Sequence, residues 1–125
     1  MAGETILIVE DNALSRKLVE TILQLYDYRL LVAVNGERAV EVATRERPDL
    51  ILMDIQLPKM SGYEATKILK AQPETAHIPI LALTAHAMEG ERERAEAAGC
   101  DDYITKPIDT RAFPEQVRKY LDWRE

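Results

Sequence analysis

Acidic, hydroxyl and amine side chains stand directly after the apolar runs of this sequence, where a fold could gather them. Glu10 and Asp11 follow the first run, Asp54 the third, Thr84 the fourth and Lys106 the fifth. Carboxylates forced into one crevice repel one another, so either their pKa values rise or a cation lies among them. A hard divalent ion with oxygen ligands, Mg²⁺ or Mn²⁺, is the simpler answer. The pattern therefore predicts a metal site.

The predicted ligands of this metal are the carboxylates of Glu10, Asp11 and Asp54, with the backbone carbonyl of Gln56 as a further one. Cys100 is the only cysteine, and the sequence has no cluster of cysteines and histidines that would favour zinc. Each acid taken alone is more typical of a solvated loop residue. It is their grouping that indicates a site.

Asp54 has the neighbours that a phosphoryl acceptor needs. Lys106 would offer a point charge to an incoming phosphate, and Thr84 a hydroxyl donor to one of its oxygens. Because phosphoryl transfer depends mainly on positioning and charge neutralisation, these groups form a sufficient set together with a metal. The alternative is that Lys106 forms a purely structural ion pair with Asp54.

Five short apolar runs predict the strands that position these residues. They cover residues 6–9, 30–34, 50–53, 78–83 and 103–104. Four of them are apolar almost without alternation, which is typical of parallel strands covered on both faces.

Segments with helical spacing separate the runs. The first, behind the N-cap candidate Asn12, has one apolar stripe at i, i+4, i+8 and i+11. The stripe consists of Leu14, Leu18, Ile22 and Leu25. The second covers 36–46 behind Asn35, and the third opens with Ser61 and Glu64 in capping-box spacing.

The last two helices differ in their apolar content. The fourth covers about 88–98, before Gly99, and offers only Met88 and alanines to a core, so we expect it to be weakly anchored. The fifth begins near 110 and has an apolar face of Phe113, Val117, Tyr120 and Leu121.

Five alternations of strand and helix predict a flavodoxin-like (βα)5 three-layer sandwich. The right-handed crossover rule leads to a parallel sheet in the order 2-1-3-4-5 with helices on both faces. Strands one and three are then neighbours at the topological switch point, where ligands bind outside the carboxyl ends.

Composition limits the classes of partner. The 125 residues predict one domain, 1–125, and the net charge of −6 argues against direct nucleic-acid binding. No apolar stretch is long enough for a membrane span and the N-terminus lacks a secretion signal, so a cytoplasmic location is expected.

Five segments in order resemble the receiver domains of response regulators. They are ILIVEDN at 6–12, PDLILMDIQLP at 48–58, SG at 61–62, ALTA at 82–85 and YITKP at 103–107. The stretches DIQLP and TAHAM are similar to stand-alone receivers of the DivK kind and to receivers attached to hybrid kinases.

The resemblance implies that Asp54 accepts a phosphoryl group from the phosphohistidine of a histidine kinase or a phosphotransfer protein. It also implies that Glu10, where many family members have aspartate, helps to hold magnesium. Tyr103 would be the aromatic switch that swings inward when Thr84 moves. The remaining expectation is a cis peptide between Lys106 and Pro107.

The implied partners are proteins. Leu14, Ser15 and Leu18 would be docking contacts for the kinase, and a downstream protein would read the face formed by the fourth helix, fifth strand and fifth helix. We expect a monomer or weak dimer. A shuttle or sink for phosphate and an excised receiver of a hybrid kinase remain alternatives.

Two other classes fit the sequence less well. A flavin-binding flavodoxin shares the topology, but Glu10 and Asp11 would repel the flavin phosphate. A metal-dependent phosphatase usually has a second acid two residues after the nucleophile, where this chain has Gln56.

Overall fold

The computed structural model describes residues 3–57, 60–84, 89–106 and 108–123, in which strands and helices alternate. The strands are β1 (Thr5–Val9), β2 (Arg29–Ala33), β3 (Leu50–Asp54), β4 (Ile80–Thr84) and β5 (Asp102–Thr105). The helices are α1 (Ala13–Leu23), α2 (Gly36–Glu46), α3 (Gly62–Ala71), α4 (Glu89–Ala98) and α5 (Ala112–Trp123). The predicted order of elements is confirmed.

The strands form one parallel sheet in the order β2-β1-β3-β4-β5. Val9 lies beside Met53, and Asp54 beside Leu83, so β1, β3 and β4 end at a common edge. The predicted flavodoxin-like fold is confirmed, with β1 and β3 adjacent at the switch point.

Alternate residues of the central strands enter two separate cores. Leu7, Ile51 and Ala82 lie in the core formed with α2, α3 and α4. Ile8 and Leu52 lie in the other core, which contains the apolar residues of α1 and α5. Because both faces of β3 and β4 are buried, their near-continuous apolar sequence has a direct cause.

Side-chain caps begin three helices as the sequence predicts. Asn12 accepts a hydrogen bond from the Ser15 amide at 3.0 Å, Asn35 from the Arg38 amide at 2.8 Å, and Ser61 from the Glu64 amide at 3.2 Å. Such caps satisfy amides that have no partner within the helix. They fix where each helix starts after the strand edge.

The apolar stripe of α1 does not face the core, although an amphipathic helix is expected to bury such a stripe. Leu14 is 82%, Leu18 43% and Leu25 79% exposed, and only Ile22 of the stripe is buried. The buried side chains of α1 are Val19, Ile22 and Leu23. The spacing predicts the helix correctly but not its rotation about its own axis, which the sheet contact determines.

The fourth helix has little apolar anchoring, as predicted. Among the side chains of α4 that the structure describes, only Ala95 and Ala98 are buried, while Met88 lies outside the described residues. None of the helices in the described ranges combines the length and the apolar character needed to cross a bilayer.

Candidate functional site

Three carboxylates meet where β1 and β3 end side by side. Glu10, Asp11 and Asp54 each have an oxygen within 4.8 Å of the others. Glu10 is 1% and Asp54 4% exposed, whereas Asp11 is open to solvent. The structure therefore brings together the three acids that the sequence predicts as metal ligands.

Lys106 places its ammonium group against the two buried acids. Its Nζ lies 2.7 Å from Glu10 Oε1 and 3.5 Å from Asp54 Oδ2. The proximity to Asp54 that the sequence predicts is present, but the shorter contact is to Glu10. Because unpaired buried charges are costly, Lys106 offsets the repulsion between these carboxylates.

The pKa values describe how this cluster shares protons. Burial, then the hydrogen bond and charge of Glu10, raise the pKa of Asp54 to about 7 against the opposing effect of Lys106. Burial raises the pKa of Glu10, but hydrogen bonds to Asp54 and Lys106 lower it overall. The pKa of Lys106 is raised, since its acidic neighbours outweigh its burial. Without a metal, Asp54 is therefore the first acid of this pair to take up a proton as the pH falls.

Arg16 holds the loop that presents Glu10 and Asp11, a role that the sequence analysis missed. Its Nη1 donates to the Glu10 carbonyl at 3.1 Å, and its Nε lies 3.8 Å from Glu20 Oε1. The Asn12 amide also donates to Glu10 Oε2, at 3.3 Å. A positive charge in the first turn of a helix is unfavourable because of the helix dipole. The unusual position of Arg16 was therefore the one sequence feature that could have indicated a specific contact.

The loop between β3 and α3 orients Asp54. The Gln56 amide donates to Asp54 Oδ1 at 3.1 Å, and the Leu57 and Gly62 amides both donate to the Ile55 carbonyl, at 3.2 and 3.0 Å. A Cβ at Gly62 would lie well inside contact distance of the Asp54 carbonyl oxygen. The start of α3 is therefore packed onto the end of β3.

Thr84 and Tyr103 lie on the next two strands of the sheet, β4 and β5. Thr84, buried at the end of β4, pairs with Thr105, and its carbonyl accepts from the Lys106 amide at 2.7 Å. Tyr103 is half-buried on β5, with the Arg92 guanidinium 5.1 Å from its ring centre. Pro107 lies outside the described residues, and the expected cis peptide with it.

Residues 6–118 match the family model described as the response regulator receiver domain. The chain belongs to the response-regulator receiver family. This receiver is therefore a protein of two-component signalling, and the fold and family inferred from its motifs are confirmed.

Curated relatives and solved structures agree with this assignment. The receiver is 47% identical over 118 residues to the polar-differentiation response regulator DivK of Brucella anthropi, covering 94% of this chain and 96% of the relative. The receiver domain of the sensor histidine kinase PA1611 from Pseudomonas aeruginosa PAO1 was solved with a magnesium ion in its active site cleft. It shares 39% identity at a TM-score of 0.91, over 97% of this chain and 99% of its own.

The receiver domain of Ssk1 from Saccharomyces cerevisiae was solved together with the histidine phosphotransfer protein Ypd1. That structure has a TM-score of 0.86 and 30% identity to this receiver, and covers 95% of this chain and 89% of the other.

Proposed function

We propose that this receiver accepts a phosphoryl group on Asp54 from a histidine kinase or a histidine phosphotransfer protein, in a reaction that requires a divalent cation. The observation that carries the proposal is one cluster in which the buried Asp54 lies beside Glu10, Asp11 and Lys106. Residues 1–125 would form a single receiver domain. It would act alone, as a phosphate shuttle or sink, or within a hybrid kinase.

The donors of the cluster fit Mg²⁺ or Mn²⁺. They are all oxygens, and one of the three acids, Asp11, is open to solvent. Such an ion usually keeps several water ligands, which the solvent on that side would supply. Glu10, Asp11 and Asp54 would hold the ion, with the Gln56 carbonyl as a further ligand. When bound, it would neutralise charge on the phosphoryl oxygens. The magnesium in the PA1611 receiver domain supports this choice.

In the proposed transfer, a carboxylate oxygen of Asp54 attacks the phosphorus of a phosphohistidine. A P–O bond forms, the P–N bond breaks, and its electron pair leaves with the imidazole. Lys106, already 3.5 Å from Asp54 Oδ2, is placed to exchange its contact with Glu10 for one with a phosphoryl oxygen. The chain would promote its own phosphorylation and later hydrolysis of the acyl phosphate.

The proposed output is a change in the face formed by α4, β5 and α5. Thr84, at the end of β4, would move to donate a hydrogen bond from its hydroxyl to a phosphoryl oxygen. Tyr103 would then turn inward into the space that the Thr84 side chain had occupied. A charge-assisted hydrogen bond contributes about 1.5–3 kcal/mol, enough to shift a two-state equilibrium by roughly ten-fold to a hundred-fold. A protein partner would read that change.

The proposed docking surface for the phosphodonor is the start of α1. Leu14 and Leu18 are exposed there, Ser15 lies between them, and the helix begins two residues after Asp11. Exposed apolar side chains beside a charged pocket are typical of a protein contact. The Ypd1 complex of the Ssk1 receiver supports a phosphotransfer protein as the partner.

A direct test uses acetyl phosphate with and without Mg²⁺ and intact-mass measurement. We expect the wild type to gain one phosphoryl group only with Mg²⁺, and Asp54→Asn to gain none. The matched control is Asp27→Asn, because Asp27 is an exposed aspartate in the turn before β2. Modification of Asp54→Asn to the wild-type extent would refute Asp54 as the acceptor.

A further inference from the structure

The start of α2 packs against the loop that follows Asp54. Gly36, the first residue of α2, is buried, and a Cβ built on it would lie 2.8 Å from the Met60 carbonyl oxygen. The same Cβ would lie 3.0 Å from both Cβ and Cγ of Met60. The first of these contacts is with backbone, so a side-chain rotation of Met60 cannot relieve it.

Gly36 is the only glycine of α2. It lies outside the five segments whose sequences resemble receivers. An alanine there would require Met60 to move by roughly half an ångström to restore ordinary contact distances. Such a shift matters at a site whose groups must be held to within about 0.5 Å.

A displacement of Met60 has a short path to the phosphoacceptor. Gly62, two residues on, is packed on the Asp54 carbonyl and donates to the Ile55 carbonyl, so a shift of Met60 acts directly on the residues that carry the phosphoacceptor. Residues 55–57 at the other end form the turn in which the Gln56 amide donates to Asp54 Oδ1. Strain introduced at α2 would therefore reach Asp54 and Ile55 through Gly62, directly beside the amide that orients the Asp54 carboxylate.

We propose that Gly36 is a positioning residue for the phosphoacceptor site, because its lack of a side chain lets α2 support the loop that orients Asp54. This inference rests on the proposed function of Asp54 and adds to it a residue from a different helix. It assigns the start of α2 to the site, although no side chain of α2 belongs to the carboxylate cluster.

The test compares Gly36→Ala with Gly90→Ala. Gly90 lies at the start of α4, is exposed, and an added Cβ would meet no described atom within 4 Å. Both changes replace a glycine near a helix start with the strongest helix former. The measurements are ¹H–¹⁵N amide shifts, the thermal midpoint, and Mg²⁺ affinity by titration calorimetry.

For Gly36→Ala we expect amide shifts at Ile55, Gln56 and Leu57, together with Mg²⁺ binding about 3-fold to 10-fold weaker in a protein that still folds. Gly90→Ala should leave these amide shifts and the Mg²⁺ affinity unchanged. A merely structural role would lower the thermal midpoint without changing the Mg²⁺ affinity of the folded protein. That outcome, or equal behaviour of the two variants, would overturn the proposal.

Met60→Ala provides a second approach if Gly36→Ala does not fold. It removes the Cγ that packs toward Gly36 and should change the same amides and weaken Mg²⁺ binding by a smaller factor. Unchanged Mg²⁺ affinity in that variant would contradict the inference. If the wild type itself neither binds Mg²⁺ nor accepts phosphate, the proposed function fails, whereas the amide shifts still report on the loop.

Discussion

Lys106 lies closer to Glu10 than to the proposed phosphoacceptor. Glutamate is one methylene longer than aspartate, and the Oε1 of Glu10 reaches Nζ at 2.7 Å while Asp54 Oδ2 lies at 3.5 Å. The half-buried lysine is thus paired mainly with Glu10. In the proposed reaction, an arriving phosphoryl group would compete with Glu10 for the same ammonium group.

Replacing Lys106 with methionine should separate phosphoryl binding from folding. The variant lacks the charge that meets a phosphoryl oxygen, so we expect beryllofluoride to bind about ten-fold to a hundred-fold more weakly at saturating Mg²⁺. Fluorescence or calorimetric titration measures this affinity. Lys17→Met, at an exposed position on α1, is the control and should bind as the wild type does. Wild-type affinity in the Lys106 variant would indicate that the lysine is only structural.

The polar residues at strand ends are predictable because parallel strands deliver their carboxyl ends to one edge. Knowing the strand order was enough to place Glu10, Asp54 and Lys106 near one another. Arg16 and Gly36 could not be placed in this way, because their contacts with backbone carbonyls depend on the rotation and approach of α1 and α2.

At the scale of elements, α1 shows what a hydrophobic period leaves undetermined. Its exposed leucines have the spacing of a buried stripe, yet Val19 and Leu23 contact the core instead. The α1 segment therefore carries two adjacent apolar stripes, and tertiary packing determines which of them faces the core. The outer stripe remains available to a partner.

Leu14→Ser should therefore impair phosphotransfer without affecting the receiver's own chemistry. We expect transfer from a phosphotransfer protein to slow by at least about five-fold, since burying a leucine side chain in a contact contributes about 1.5–3 kcal/mol. Acetyl phosphate labelling and the thermal midpoint should not change. Leu25→Ser is the matched control, because Leu25 is similarly exposed but follows the far end of α1. Equal slowing in both variants would count against docking at the start of the helix.

Two arginines of α4 contact aromatic rings and supplement the few apolar contacts that hold this helix in place. Arg92 lies 5.1 Å from the centre of the Tyr103 ring, and Arg94 lies 4.5 Å from that of Tyr63 on α3. Cations over aromatic rings are attracted by the electron density of the ring face. The charged face of α4 is therefore more than a solvated surface, and it connects the helix to both neighbouring elements.

We expect Arg92→Gln and Arg94→Gln each to lower the free energy of unfolding by about 0.5–1 kcal/mol. Urea unfolding with an unchanged slope measures this. Arg118→Gln is the control, because Arg118 forms an exposed i,i+4 pair with Asp122, as Arg92 does with Glu96, and lies over no ring of the described residues. Loss of this exposed ion pair should have little effect on the free energy of unfolding. Comparable losses in all three variants would argue that the rings do not matter.

For the whole molecule, the alternation of apolar runs and helical segments was sufficient to predict the fold. Strands buried on both faces, such as β3 and β4, have almost no polar residues, which distinguishes a parallel α/β sheet from a half-exposed one. The ends of elements shifted by up to two residues. Strand 78–83, for example, begins at Ile80, because Ile78 belongs to the turn before it.

The carboxylate cluster links the stability of the whole molecule to its proposed metal. Lys106 pairs with Glu10 and Asp54, so the charge of Asp11 should repel the cluster and destabilise the metal-free fold, and a bound cation would reverse this effect. A ligand at 100 times its dissociation constant adds about 2.7 kcal/mol to the free energy of unfolding. Asp11→Asn should therefore change stability in opposite directions in the two states.

We expect Asp11→Asn to unfold at a higher denaturant concentration than the wild type in EDTA, because one repelling charge is gone. In saturating Mg²⁺ the order should reverse, since the variant loses a ligand and most of the metal-dependent gain. Asp27→Asn, at an exposed position away from the cluster, should follow the wild type in both conditions. Because repulsion and metal ligation act on the same carboxylate, a variant that is less stable in EDTA would show that Asp11 has a structural role instead.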